Sequence, residues 1–148
     1  MKASALMLLM AIVLSGCMVM VPGHLYPIQG PLASQTPLPI FPMSLNRVLN
    51  SGTLKATLQG GESCKGSWRQ IRQDDPSANL RAAQWDAVYG QGYFTANVLG
   101  SPIFARSSLT CARGSTVDVE LYDHKPDDVI GLVGIAQDNK GNLYKVTL

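Results

Sequence analysis

The chain has 148 residues, with 12 basic and 10 acidic side chains, 3 cysteines and 46% apolar residues. That length suits a single domain. The near-balance of charge, with no basic run and no acidic tail, leaves no footprint for nucleic acid or for electrostatic attachment to anionic lipid.

The first 16 residues do not read as part of the domain. Lys2 gives a positive start, and Ala5 to Leu14 is an unbroken apolar run before the small pair Ser15-Gly16. This is the layout of a secretory leader. The run is too short to cross a hydrocarbon core, which takes roughly 20 helical residues, and no later segment offers a second candidate. Lys2 is the only charge in the leader, so residues 17–148 hold 11 basic and 10 acidic side chains.

Leu14-Ser15-Gly16-Cys17 follows the apolar run directly. The four residues resemble the lipobox of bacterial lipoproteins: Leu, then Ser or Ala, then Gly or Ala, then Cys. The resemblance covers about the first 20 residues. It implies cleavage between Gly16 and Cys17, diacylglycerol on the Cys17 thiol, and acylation of the new amine by a fatty acid such as palmitate. Small residues let an extended backbone enter a protease cleft, and a thiol is nucleophilic enough to be alkylated. The bland alternative is a secretory signal with an incidental cysteine. Two acyl chains are enough for stable anchoring, at about 0.8 kcal/mol per buried methylene. Met18 stands where such families place Asp to keep a protein in the inner membrane. Its presence implies the periplasmic face of the outer membrane, or the inner membrane if host or sorting differs.

With Cys17 lipidated, Cys64 and Cys111 remain, in a compartment that permits disulfides. A Cys64–Cys111 bond would close a loop worth roughly 4 kcal/mol in the chain-entropy account. Two separate buried thiols are the other reading. Zinc is disfavoured, because there is no Cys-x-x-Cys pair and only two histidines.

Residues 18–43 hold six of the nine prolines and no Asp, Glu, Lys or Arg, with His24 their only basic side chain. Proline removes a backbone donor and fixes φ, so residues 17–43 read as a lipidated cysteine followed by a semi-extended tether. Its apolar residues, among them Leu25, Ile28 and Phe41, suit a tether lying partly against the domain. Residues 44–148 then form the domain.

Ser44 to Asn50 reads as one or two helical turns, with Leu45, Val48 and Leu49 on one face. Thr53 to Leu58 and Ser63 to Ile71 alternate as strands around Gly60-Gly61. Ala78 to Gln84 reads as a short helical connection. Trp85 to Val98 reads as a long aromatic strand, bulged or sharply bent at Gly90 and Gly92, or as two shorter strands. Ser107 to Ala112 and Thr116 to Tyr122 follow as strands around a turn at Arg113-Gly114-Ser115. Val129 to Gln137 is apolar on both faces, as in a central strand. Asp138 to Asn142 is a hairpin turn, and Leu143 to Leu148 closes the pair. About seven short strands predict a mainly β fold, a small antiparallel β-sandwich or barrel with one or two short helical turns. The strand pair around Asp138 to Tyr144 is similar in outline to small envelope lipoproteins, a resemblance that carries no activity with it.

No catalytic set emerges. His124 lies in a charged loop with Asp123, Lys125, Pro126, Asp127 and Asp128. A hydrolase using His124 is one alternative, and a solvated turn is the plainer one. The same loop has oxygen ligands but no calcium-loop spacing, so no metal and no cofactor are expected. Gly90-Gln91-Gly92 lacks the strand-to-helix context of a phosphate loop. Trp68, Trp85, Tyr89 and Tyr93 would form a binding patch for a periplasmic protein or glycan if exposed, or would fill the core. The sequence thus points to a non-enzymatic, lipid-anchored envelope protein with a structural or interaction role. An inhibitor of an envelope-attacking hydrolase such as a lysozyme is a further alternative, although the motif of that group is not found here.

Overall fold

A computed structural model describes residues 18–72, 74–101, 105–124 and 131–148. The leader, Gly16, Cys17, Lys125 to Asp128 and the first two residues of the expected strand at Val129 lie outside the described residues. Eight strands run in chain order: β1 (Val19–Gln29), β2 (Phe41–Val48), β3 (Ser51–Leu58), β4 (Glu62–Gln70), β5 (Ala105–Cys111), β6 (Thr116–Asp123), β7 (Leu132–Asp138) and β8 (Leu143–Thr147). Each pairs antiparallel with the next, and β8 pairs back onto β1, closing a barrel. Closure leaves only the two half-edges of β1 without a ladder partner.

Side chains alternate across the wall, as period-2 geometry requires. Leu25, Met43, Leu45, Leu54, Leu109, Val117, Val119, Ala136 and Val146 fill the interior. An eight-stranded barrel has just enough room for such a filling or for one small ligand. The outward residues of β3 and β4 are polar: Thr53, Lys55, Thr57, Ser63, Lys65, Ser67 and Arg69. A barrel that crosses a membrane with its strands has the reverse pattern, apolar outside and polar within. No helix among the described residues is long and apolar enough to cross a membrane.

The Pro-rich segment is barrel wall rather than tether. Residues 19–25 of β1 pair with β2, and residues 24–29 pair with β8. Each half of the strand therefore has one unpaired edge. Pro22 and Pro27 fall in these half-paired stretches, where a missing N–H costs no ladder bond. Pro42 lies opposite His24, one residue before the β2–β3 ladder begins at Met43. The expected helical turn over Ser44 to Asn50 is likewise strand as far as Val48, with Leu49 and Asn50 forming the β2–β3 turn. Leu45 faces inward and Ser44 and Asn46 outward, so strand alternation overrides a weak local helical pattern.

Trp85 to Val98, expected as strand, is helical on both sides of Gly90. A turn-rich segment leads from β4 into α1 (Ala82–Tyr89), and a π-helical turn follows over Phe94–Val98. Ala82, Ala83, Gln84 and Ala87 are good helix formers. Trp85 and Tyr89, four residues apart, fall on one face. α1 packs on the outside of β7 and β8. There Ile71, Ala78, Trp85, Phe94, Val98 and Ile135 form a second core between excursion and wall.

The disulfide Cys64–Cys111 is formed. The two residues are direct cross-strand partners on β4 and β5. It ties together the two strands that flank the helical excursion. Closer to the barrel centre, a Cβ on Gly66 would strike the Ser108 carbonyl oxygen, so only glycine lets β4 and β5 approach this closely.

Candidate functional site

One end of the barrel carries a polar network. The Glu62 carboxylate accepts from the Ser115 hydroxyl at 2.7 Å and from the Arg113 and Ser115 amides. Asp138 accepts from the amides of Lys140 and Asn142, the Asn142 side chain and the Tyr144 hydroxyl. The Ser115 hydroxyl, foremost, holds the Glu62 carboxyl below the usual carboxylate range; the Arg113 and Ser115 amides and the Lys140 ammonium add to this, and burial opposes it. Burial, then the Asp138 carboxylate, pushes the Tyr144 phenol up. A cavity of about 250 Å³ lies beside this network, between Leu32, Leu58 and Lys140. The carboxylates there are committed to holding the turns, which leaves little for a ligand or a reaction.

A third buried carboxylate lies on the outer wall. Glu120 accepts from Arg106 at 2.6 Å and from the Trp85 indole N–H at 2.8 Å. Arg106 also donates to the Ser77 hydroxyl and carbonyl. Beside it Arg81 pairs with Asp118 at 2.6 Å. These bonds clamp the helical excursion to β5 and β6. They use the fork geometry of arginine to satisfy a charge that would otherwise be stranded.

The other end is built from the start of β1, the β2–β3 hairpin, the ends of β4 and β6 and the starts of β5 and β7. A cavity of about 110 Å³ opens there, lined by Leu45, Trp68, Ala105, Leu121 and Leu132, with Arg47, Asn50 and Gln70 also on its lining. The Trp68 indole enters the interior opposite Gly52 and donates to the Asn46 carbonyl at 3.1 Å. A Cβ on Gly52 would strike the Asn46 carbonyl oxygen first and then the indole nitrogen, so the glycine lets β2 and β3 approach with the ring beside them. An apolar cavity of about 150 Å³ takes a benzene-sized guest. This somewhat smaller one suits a short aliphatic end, with a cation and two amides at hand for a polar head.

The four aromatic residues expected to form one patch are divided by the barrel wall. Trp68 is inside and lines the open cavity. Trp85, Tyr89 and Tyr93 are outside, stacked with Tyr89–Tyr93 centroids 4.7 Å apart. Trp85 is fully buried; Tyr89 donates its hydroxyl to the Gly134 and Val146 carbonyls and lies beneath the Lys145 ammonium. Burial pushes the Tyr89 phenol up. His124 packs edge-on to Tyr122, with ring centroids 6.4 Å apart. The site residues that the sequence did not single out are Leu45, Arg47, Asn50, Gln70, Ala105, Leu121 and Leu132. Their alternation within strands marked several as core, but only barrel closure brings five strands to one mouth. No family model, curated protein or solved structure matches this chain.

Proposed function

We propose that this protein is a lipid-anchored component of the cell envelope, held by acylated Cys17 at the periplasmic face of the outer membrane, and that its barrel works by binding rather than by catalysis. The ligand is a small amphiphile. Its apolar end enters between Trp68, Leu121 and Leu132, and its polar end meets Arg47, Asn50 and Gln70. One observation supports this most directly: the apolar cavity of about 110 Å³ opens at the barrel end where β1 begins, two residues after Cys17.

Intact-mass analysis of the membrane-extracted protein tests the anchor. The expected mass is that of residues 17–148 plus acyl groups; a mass without lipid or with a retained leader overturns it. Titration with a short-chain carboxylate, followed by tryptophan fluorescence, tests the pocket. Binding should saturate and be lost in Ala105→Leu, which fills the cavity. Equal binding by that variant places the ligand elsewhere.

A further inference from the structure

We propose that the rim at the Trp68 end of the barrel inserts into the bilayer surface beside the anchor, so that the cavity faces the membrane. The inference rests on acylation of Cys17. Val19 pairs with Arg47 and Met20 with Asn46, which continues to Met18 beside Val48. Met18, Met20 and Val48 therefore share the outer face of this rim, with Val19 on the inner face, Leu49 at the turn and Arg47 and Asn46 between them; the five apolar residues are all exposed, Leu49 by 84%. They are half of the ten exposed large hydrophobic residues among those described.

Folding alone does not account for this patch. Leu49 occupies the β2–β3 turn with φ 56°, a conformation that favours glycine or asparagine. The turns at the opposite end put glycine in that region, at Gly60, Gly61, Gly114 and Gly141. A leucine that is both strained and projected into water gains only from an apolar partner.

The occupant follows from where the chain leads. Met18 is directly bonded to Cys17, and one residue spans at most about 3.6 Å. An acylated Cys17 would hold the patch within the headgroup layer at no further cost in association entropy. The patch contains no acidic residue to resist burial. Docking is driven by apolar contact, so it should be nearly insensitive to salt, unlike a polybasic attachment.

The test uses the mature acylated protein in phosphatidylethanolamine–phosphatidylglycerol vesicles. An environment-sensitive fluorophore is placed on Leu49→Cys or, at the far end, on Lys140→Cys. At residue 49 emission should shift to the blue, escape aqueous iodide and be quenched by nitroxide lipids, while the label at 140 stays in water. Residue 49 as open to iodide as residue 140 overturns the proposal. Shielding at 49 without nitroxide quenching also overturns it, by assigning the patch to a second copy or a protein partner. The mass of each sample separates the two readings. An acylated protein with residue 49 in water defeats the rim alone, and a chain without acyl groups defeats both.

Discussion

At the scale of single residues, buried carboxylates organise much of the polar structure. Glu120 is fully buried and depends on Arg106 and the Trp85 indole. Arg106→Ala strands that charge and should cost roughly 3–5 kcal/mol in urea unfolding. Adding Glu120→Gln should recover part of the loss; a single variant as stable as wild type would show that water supplies the missing partner. Glu62 makes a pH-dependent contribution. Its folded pKa is lowered, chiefly by the Ser115 hydroxyl, so its contribution is complete above the ordinary carboxylate pKa of about 4.3. It is lost as pH falls from there through the lowered folded value. Ser115→Ala should therefore flatten the acid limb of the stability profile while leaving the limb above pH about 6 parallel to wild type. Tyr89 and Tyr144 act at the opposite end of the scale. Both phenols are raised, so stability is intact below the ordinary tyrosine value of about 10 and falls above it. Absorbance titration should show two of the five tyrosines ionising only as the protein unfolds.

At the scale of elements, local sequence and tertiary context disagree most clearly in two places. Prolines at 22, 27 and 42 argue against an interior strand, and the reasoning is sound for a strand paired along both edges. β1 escapes it because β2 and β8 each hold a different half. Trp85 to Val98 reads as strand because aromatic residues favour strands. The spacing of Trp85 and Tyr89 at an interval of four, among alanines, is the competing helical signal. Gly66 illustrates how an element depends on its neighbour. Gly66→Val should destabilise by roughly 1–3 kcal/mol or more, since the Ser108 carbonyl cannot retreat without breaking the β4–β5 ladder. Retention of wild-type stability in a thermal melt would mean that the two strands can separate there without loss.

At the scale of the whole molecule, the disulfide and barrel closure act together. Cys64 and Cys111 are 47 residues apart in sequence but adjacent across β4 and β5. Without the bond, β4 and β5 would be joined covalently only through the long helical excursion, and their pairing would rest on the ladder. Replacing both cysteines by alanine should cost roughly 4 kcal/mol by the loop-entropy argument. Unchanged denaturation midpoints with and without reductant would show that the ladder alone keeps the strands paired even in the unfolded ensemble.

The chemistry and alternation of the sequence determined a mainly β domain, the cysteine pairing, the β7–β8 hairpin and the inward character of Leu54, Val117, Val119 and Val146. These depend on period-2 burial and on the count of thiols, both of which are local properties of the chain. Tertiary structure alone decided that a Pro-rich stretch becomes wall, that Trp68 is separated from the other aromatics, and that Leu45, Arg47, Asn50, Gln70 and Leu132 share one mouth. The reason is closure: when β8 pairs with β1, every strand gains an inside and an outside defined by all the others, and no short stretch of sequence carries that information.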